Sequence, residues 1–248
     1  RDESEATMIG GRLTVESLHK SLPDTKSTQR VVGIDSDVNI YRDPYGIPHV
    51  SARTPHDAFF AQGFATAQDR LWHMDHDRRV AYGQWAELVG PTALDQDVTM
   101  RRFQIRTSVI ADYETVNQET RSMLDAYAAG VNAYVDVSGT LPVEYNLVDS
   151  EPGRWRPWDS LAVFKVRHIL MGVFAAKLWR ARLADVLGAD RAAQLLPGYQ
   201  SGHLLIVPPG AEQEGDTHDP LLGLATDVDV KSWPGATDAG SNSWALAG

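Results

Sequence analysis

Cysteine is absent from all 248 residues, which excludes a disulfide framework, a thiolate zinc site, an iron–sulfur cluster and a cysteine nucleophile. No apolar run approaches the roughly 20 residues that a membrane-spanning helix requires, so no membrane span is expected. Basic residues are in the minority. The 23 Lys and Arg against 33 Asp and Glu give a formal charge of −10, which repels a phosphate backbone and argues against a nucleic-acid partner. Internal repeats and low-complexity tracts are missing as well. What remains is ordinary globular composition, 43% hydrophobic and 23% charged, at a length that suits one large domain or two modest ones. The chain opens at Arg1 with neither an initiator Met nor a signal-like apolar stretch, so any targeting peptide has been removed or lies outside the sequence.

The first forty residues are polar and irregular until Val38, Ile40 and Arg42 begin an alternation that predicts a strand. Asp43-Pro44-Tyr45-Gly46 is a turn signal, and Ile47 to Ala52 reads as the returning strand. Thr54-Pro55-His56-Asp57 has the pattern of a helix start, with a hydroxyl to cap, proline at the first helical position and a carboxylate placed to bond back. Phe60, Phe64, Ala67, Leu71 and Met74 recur at spacings of four and three and mark one buried helix face. Gly90-Pro91 breaks this pattern. A second long periodic segment runs from about Asp112 to Val137 through Val116, Met123, Tyr127, Val131 and Tyr134. After a loop rich in proline and aromatics, Asp159 is placed to cap a third long helix, whose Leu161 to Phe174 segment is apolar around much of its circumference and is expected to be deeply packed. Helical periodicity continues from Leu178 to Leu196, and Leu204 to Val207 looks like a short buried strand. Residues 1–210 therefore form a mainly helical region, residues 211–240 a spacer rich in Gly, Asp, Thr and Pro, and residues 241–248 a return to strand-like character. A single terminal strand cannot build a sheet by itself, so either it pairs elsewhere in the chain or its sheet is missing.

Several groups invite chemistry. His73 and His76 sit three apart on a predicted helix with Asp69 and Asp77 a turn away, which can place metal ligands on one face. Arg70, Arg78 and Arg79 in the same segment oppose a cation and can satisfy those carboxylates, so salt bridges are the preferred reading and no metal site is assigned. The acid pair Asp75 and Asp77 is too ordinary in an acidic chain to indicate a glycosidase. Trp155 to Trp158 read better as a loop anchor than as a ligand site. Gly240-Ser241 differs from these, because a Gly-Ser junction between a spacer and a strand suits self-cleavage. Glycine opens backbone conformations that let the serine hydroxyl approach the preceding carbonyl, and the amide-to-ester shift followed by hydrolysis leaves Ser241 as a new amino terminus. Its α-amine, with a pKa of about 7.7–8.0, can then take the hydroxyl proton.

The segment Gly240-Ser241-Asn242-Ser243-Trp244-Ala245 resembles the processing site of the penicillin and cephalosporin acylase family of N-terminal-nucleophile hydrolases. Tyr41 to Val50 resembles that family's opening strand-turn-strand. Ala61 to Trp72 and Arg78 to Gly83 are similar to its first helices, and Tyr127 to Ala133 and Leu141 to Tyr145 resemble later blocks in the expected order. Several motifs in order are far more specific than any one of them.

The resemblance implies a helical segment belonging to an αββα fold, whose two central antiparallel sheets come largely from a β subunit made from the same precursor. Residues up to Gly240 would be the α subunit with its spacer, and Ser241 would be the catalytic nucleophile at the start of β. The oxyanion hole would lie further along β, so the segment alone should not be a competent acylase. The substrate would be a small-molecule acyl amide: a β-lactam side-chain amide, an acyl-homoserine lactone or a lipopeptide amide. Met171 and Phe174, one turn apart on the helix that corresponds to Phe164 to Phe174, would line the acyl pocket. Catalysis would need no cofactor. Some relatives hold a structural calcium with an acid shortly after this helix, but Ala175 to Arg180 offer no carboxylate before Asp185, which counts against that site here. Family resemblance points to a periplasmic or secreted protein. The competing reading is a noncatalytic helical binding module whose terminal Ser-Asn-Ser-Trp segment adds a strand to a partner's sheet.

Overall fold

The computed structural model describes residues 14–171 and 174–195, with side chains at all of these except 170, 171 and 174–176. They fall into two units, one running to Val166 and the other beginning at Arg167. The architecture is mainly helical, as expected, with one two-stranded sheet. The predicted strands at Leu204 to Val207 and Ser241 to Leu246, and the spacer between them, lie outside the described residues.

A short helix, α1 (Val15–Lys20), precedes an irregular arm that leads to β1 (Asn39–Arg42). This strand pairs antiparallel with β2 (Pro48–Ser51), in the register Asn39↔Ser51, Ile40↔Val50, Tyr41↔His49 and Arg42↔Pro48. Asp43 builds the turn between them. Its carbonyl accepts the Gly46 N–H at 2.9 Å, and its carboxylate accepts the N–H groups of Tyr45 and Ile47 at 2.9 and 3.0 Å. Gly46 sits at φ 80°, a conformation glycine reaches without steric cost.

The long helix α2 (Pro55–Tyr82) starts where the sequence predicts, with the Thr54 hydroxyl accepting the Asp57 N–H at 3.0 Å. The Asp57 carboxylate reaches beyond its own helix. Its oxygens accept the Asp35 N–H at 2.8 Å and the Ser36 hydroxyl at 2.9 Å, which ties the arm down on the helix start. The helix ends at Gly83 rather than at Gly90-Pro91, because Gly83 adopts the left-handed conformation (φ 61°, ψ 51°) and its N–H turns back to the Val80 carbonyl. Then follow α3 (Ala86–Val89), a 3-10 turn over Pro91–Ala93, α4 (Leu94–Arg102) and α5 (Ile105–Thr115). Asp97 of α4 accepts the Trp85 and Ala86 N–H groups at 3.0 and 2.7 Å, capping α3 from a distance.

The second long segment is broken where the periodicity suggests continuity. Val116 turns extended (ψ 152°), and Asn117 caps α6 (Gln118–Val137) by accepting the Thr120 N–H at 2.8 Å. The short α7 (Val143–Leu147) and a loop lead to α8 (Asp159–Met171). The second unit contains α9 (Phe174–Leu187) and α10 (Ala189–Leu195), separated at Gly188 with φ 82°.

The core sits between α2 and α6. Phe60, Phe64, Ala67, Leu71 and Met74 are all buried, as their spacing predicts, and cluster with Val131, Tyr134, Tyr145 and Trp155. Two glycines set the crossing. A Cβ on Gly63 would stand 2.1 Å from the Tyr127 carbonyl oxygen, and one on Gly130 would stand 1.9 Å from the Phe60 carbonyl oxygen. The helix backbones meet because neither residue has a side chain there. Among the described side chains, α8 is less deeply packed than expected: Ala162 and Val166, four apart on one face, are buried, whereas Phe164 is 62% exposed. Val163 is partly buried against the core cluster beside them.

Candidate functional site

Gly240 and Ser241, the proposed processing junction and nucleophile, lie outside the described residues. Met171 is the last described residue of α8 and Phe174 the first of α9, and residues 172 and 173 between them lie outside the described residues. The side chains of Met171 and Phe174 are outside the described set.

The densest polar constellation joins α2 to the start of α8. Arg78 donates from Nη1 to Asp159 at 3.2 Å and to the Arg154 carbonyl at 2.9 Å. From Nη2 it donates to Asp75 and, at 3.3 Å, to the Gly153 carbonyl. Its guanidinium also lies 5.1 Å from the Trp155 ring centre. The second Asp75 oxygen accepts Arg79 Nε and the Tyr145 hydroxyl, both at 3.2 Å. Asp159 accepts the Tyr82 hydroxyl at 2.6 Å and the Arg156 N–H at 2.8 Å. Burial works against the charge on Arg78, but the Asp75 and Asp159 carboxylates outweigh it and hold its pKa above the usual value. Burial, reinforced by Asp159 at Tyr82 and by Asp75 at Tyr145, pushes both phenols up.

Both carboxylates and both phenols of this network are already engaged, so it presents no free base or nucleophile. It acts as an anchor. It pins the loop before α8, and Asn132 completes the hold by exchanging two hydrogen bonds of 2.8 Å with the Trp155 backbone. Trp155 itself is buried, in keeping with the loop-anchor reading of the aromatic stretch.

The arginine that engages Asp69 comes from β1 rather than from the helix segment that holds Arg70, Arg78 and Arg79. Asp69 is held by Arg42, at 3.0 Å from Nη1 and 2.8 Å from Nη2, while His73 and His76 both approach Asp77, at 3.7 and 3.2 Å. Among the described residues, the acidic and imidazole groups that do converge are Asp35, His56 and Asp57, with ligand atoms within 4.8 Å of one another. Sequence spacing does not reveal this group, because 22 residues separate the two aspartates and only the folded arm unites them. Both Asp57 oxygens already accept hydrogen bonds there. The Asp35 N–H, foremost among these donors, holds the Asp57 carboxyl below the usual carboxylate range.

A cleft of about 430 Å³ runs beside β1. Phe60, Ala61 and Phe64 of α2, Ile40 and Arg42 of β1, and the arm residues Ser27 and Thr28 are among the residues that line it. No helix among the described residues is long and apolar enough to cross a membrane.

Comparison with known proteins gives these features a context. The family model for penicillin amidase matches residues 37–248. Penicillin acylase 2 proenzyme from Pseudomonas sp. (strain SE83) is 40% identical over 237 residues, covering 94% of this chain and 31% of that protein. Acyl-homoserine lactone acylase QuiP from Pseudomonas aeruginosa is 32% identical over 242 residues, covering 92% of this chain and 28% of that protein. The chain thus spans under a third of the length of these two relatives. Among solved structures, a chain of the thermostable penicillin G acylase from Alcaligenes faecalis matches with a TM-score of 0.54 at 27% identity, covering 69% of this chain and 97% of that one. That neighbour has the N-terminal-nucleophile hydrolase fold. The helices and hairpin occur where the ordered motifs require them, and the family match extends through Gly240-Ser241: the chain belongs to the penicillin amidase family.

Proposed function

We propose that this chain is the α subunit, spacer and first β-subunit residues of an acylase that hydrolyses N-acyl amides with Ser241 as its nucleophile. The observation that carries the reading is the family match across Gly240-Ser241, a junction whose residue types suit autocatalytic scission. Two further findings support it. One relative is named a proenzyme, and 69% of this chain accounts for 97% of a separate chain in the Alcaligenes faecalis enzyme.

In this mechanism the Ser241 hydroxyl attacks the Gly240 carbonyl, the peptide becomes an ester, and water cleaves it. The freed α-amine of Ser241 then accepts the hydroxyl proton, directly or through a water, as the oxygen attacks the substrate's acyl carbon. The amine product leaves with a proton, and a water activated by the same α-amine releases the acid. No cofactor takes part. Oxyanion donors come from the β subunit, and each is typically worth a few kcal/mol of barrier, so turnover requires that partner. The names of the relatives make β-lactam side-chain amides and acyl-homoserine lactones the substrates to assay first.

Intact-mass analysis of the full-length product tests the proposal. The parent should separate between Gly240 and Ser241, and Ser241→Ala should remain whole. Equal cleavage of both would remove the nucleophile assignment.

A further inference from the structure

Residues from the start of the arm, α2, α6 and the short α7 line another cleft, of about 640 Å³. Its charged and imidazole groups divide into two sets. Asp69 is held by Arg42, and His73 and His76 approach Asp77, so these side chains are occupied. Arg70 and Glu144 differ from them. Neither side chain makes a hydrogen bond or ion pair with another described residue, and they do not pair with each other. The helical backbone of α2 is interrupted at Arg70 (φ −140°, ψ 17°), which takes this residue out of the regular helical rows on either side. The cleft therefore holds one cation and one anion without partners.

Tyr134 of α6 is a second, independent sign. The residue is 5% exposed and its ring packs edge-on against Phe64 at 5.4 Å, yet its hydroxyl makes no hydrogen bond to another described residue. Buried phenols ordinarily find a partner, because an unpaired hydroxyl forfeits the bonds it made to water. Tyr134 is one of the residues that line this cleft, so a molecule bound there can supply the missing acceptor. Trp72, Pro142 and Val143 are apolar members of the same lining. Small-molecule sites have volumes of about 300–1,000 Å³ and set a few placed polar groups among apolar ones, which is the composition found here.

We propose that this cleft binds a small zwitterion, an amino-acid-like molecule with one carboxylate and one ammonium group. The carboxylate accepts hydrogen bonds from the Arg70 guanidinium and the Tyr134 hydroxyl, and the ammonium donates to the Glu144 carboxylate. An aliphatic remainder rests on Trp72, Pro142 and Val143. A ligand with both charges satisfies both partnerless side chains, whereas a simple acid brings its charge toward Glu144 and a simple amine toward Arg70. Every residue involved belongs to the first unit, so the proposal does not depend on the chemistry assigned to Ser241.

The test is calorimetric titration of the full-length processed enzyme with L-leucine, isocaproate and isoamylamine, which share an aliphatic chain and differ in their charged groups. L-leucine should bind about tenfold or more tightly than either analogue, the scale of one charge-assisted hydrogen bond. Arg70→Gln should remove its advantage over isoamylamine, and Glu144→Gln its advantage over isocaproate. Tyr134→Phe should weaken leucine and isocaproate and spare isoamylamine. Both charge variants should melt with the parent, since neither side chain has a described partner to lose. A lowered melting point in both would show that the two side chains are already engaged, which overturns the proposal. Equal binding of the three compounds, no leucine binding up to millimolar concentration, or leucine affinity unchanged in both variants would overturn it as well. Acylase turnover on the same sample separates the two readings: an active enzyme that binds no leucine defeats this proposal alone, while leucine binding without turnover defeats the acylase reading alone.

Discussion

Placing a methyl group on Gly63 perturbs the crossing of α2 and α6 at the point where the backbones touch. The new Cβ would lie 2.1 Å from the Tyr127 carbonyl oxygen, 0.9 Å inside the 3.0 Å that real Cβ contacts keep. The opposing atoms are backbone, also including the Tyr127 carbonyl carbon at 2.9 Å, so no side chain can swing aside. The helices must part by roughly the missing distance, and gaps of 0.5–1 Å forfeit about a quarter to a half of each dispersion contact they open. Two effects oppose each other. Alanine improves helix propensity by about 1 kcal/mol over glycine, whereas overpacking costs about 1–3 kcal/mol and sits at the upper end when the obstacle is backbone. The clash wins by about 2 kcal/mol, which lowers the melting temperature by roughly 4–8 °C for a unit of this size. Gly130→Ala, at 1.9 Å from the Phe60 carbonyl oxygen, should behave alike. The double variant should cost less than the sum, because one separation relieves both clashes. Gly139→Ala is the control, since a Cβ there would meet nothing within 4 Å, and its melting point should hardly move. A thermal melt of Gly63→Ala within about 1 °C of the parent would refute the close crossing, a threshold set at about a quarter of the smallest expected shift.

The Arg78 network supplies the next test. Asp159→Asn strips one carboxylate from a buried guanidinium and should destabilise the first unit by about 3–5 kcal/mol in chemical denaturation, while Tyr82→Phe removes one hydrogen bond and should cost about 1 kcal/mol. Equal losses for the two would contradict the view that charge compensation dominates there. Asp57 makes the arm acid-sensitive. Its carboxyl is held below the ordinary value near 3.9, so its contribution is fully present above about pH 4 and is lost as the pH falls through the lower, folded-state value. The protection factor of the Asp35 amide should follow that course, whereas in Asp57→Asn it should be low and insensitive to pH across the same window. Protection unchanged by the substitution would show that the arm is held by other contacts.

Legibility in the sequence follows the separation between cause and effect along the chain. The hairpin, the Thr54 cap and the buried face of α2 depend on residues within a few positions of one another, and each is where periodicity and turn chemistry place it. The break at Val116-Asn117 is hidden because Val116 suits an apolar stripe as well as it suits an extended link, and the periodic run on either side masks the capping role of Asn117. Gly83 is a quieter signal than Gly90-Pro91, although a single left-handed glycine suffices to end a helix. Asp57 shows the limit most clearly. Its capping position is readable, but its carboxylate serves Asp35 and Ser36, whose proximity exists only after the arm folds back.

The same distinction explains why α8 reads as a core helix and is only partly packed. Apolar residues around most of a circumference report that a helix will be covered, without stating by what. Within the first unit Ala162 and Val166 are buried, while Phe164 is largely exposed. If the β subunit covers that residue, loss of the subunit should leave it open. Adding a hydrophobic dye to the separated α subunit should then give a bright signal that is quenched when β is restored. A dye signal unchanged by β would show that Phe164 is covered by something else or remains open in the assembled enzyme.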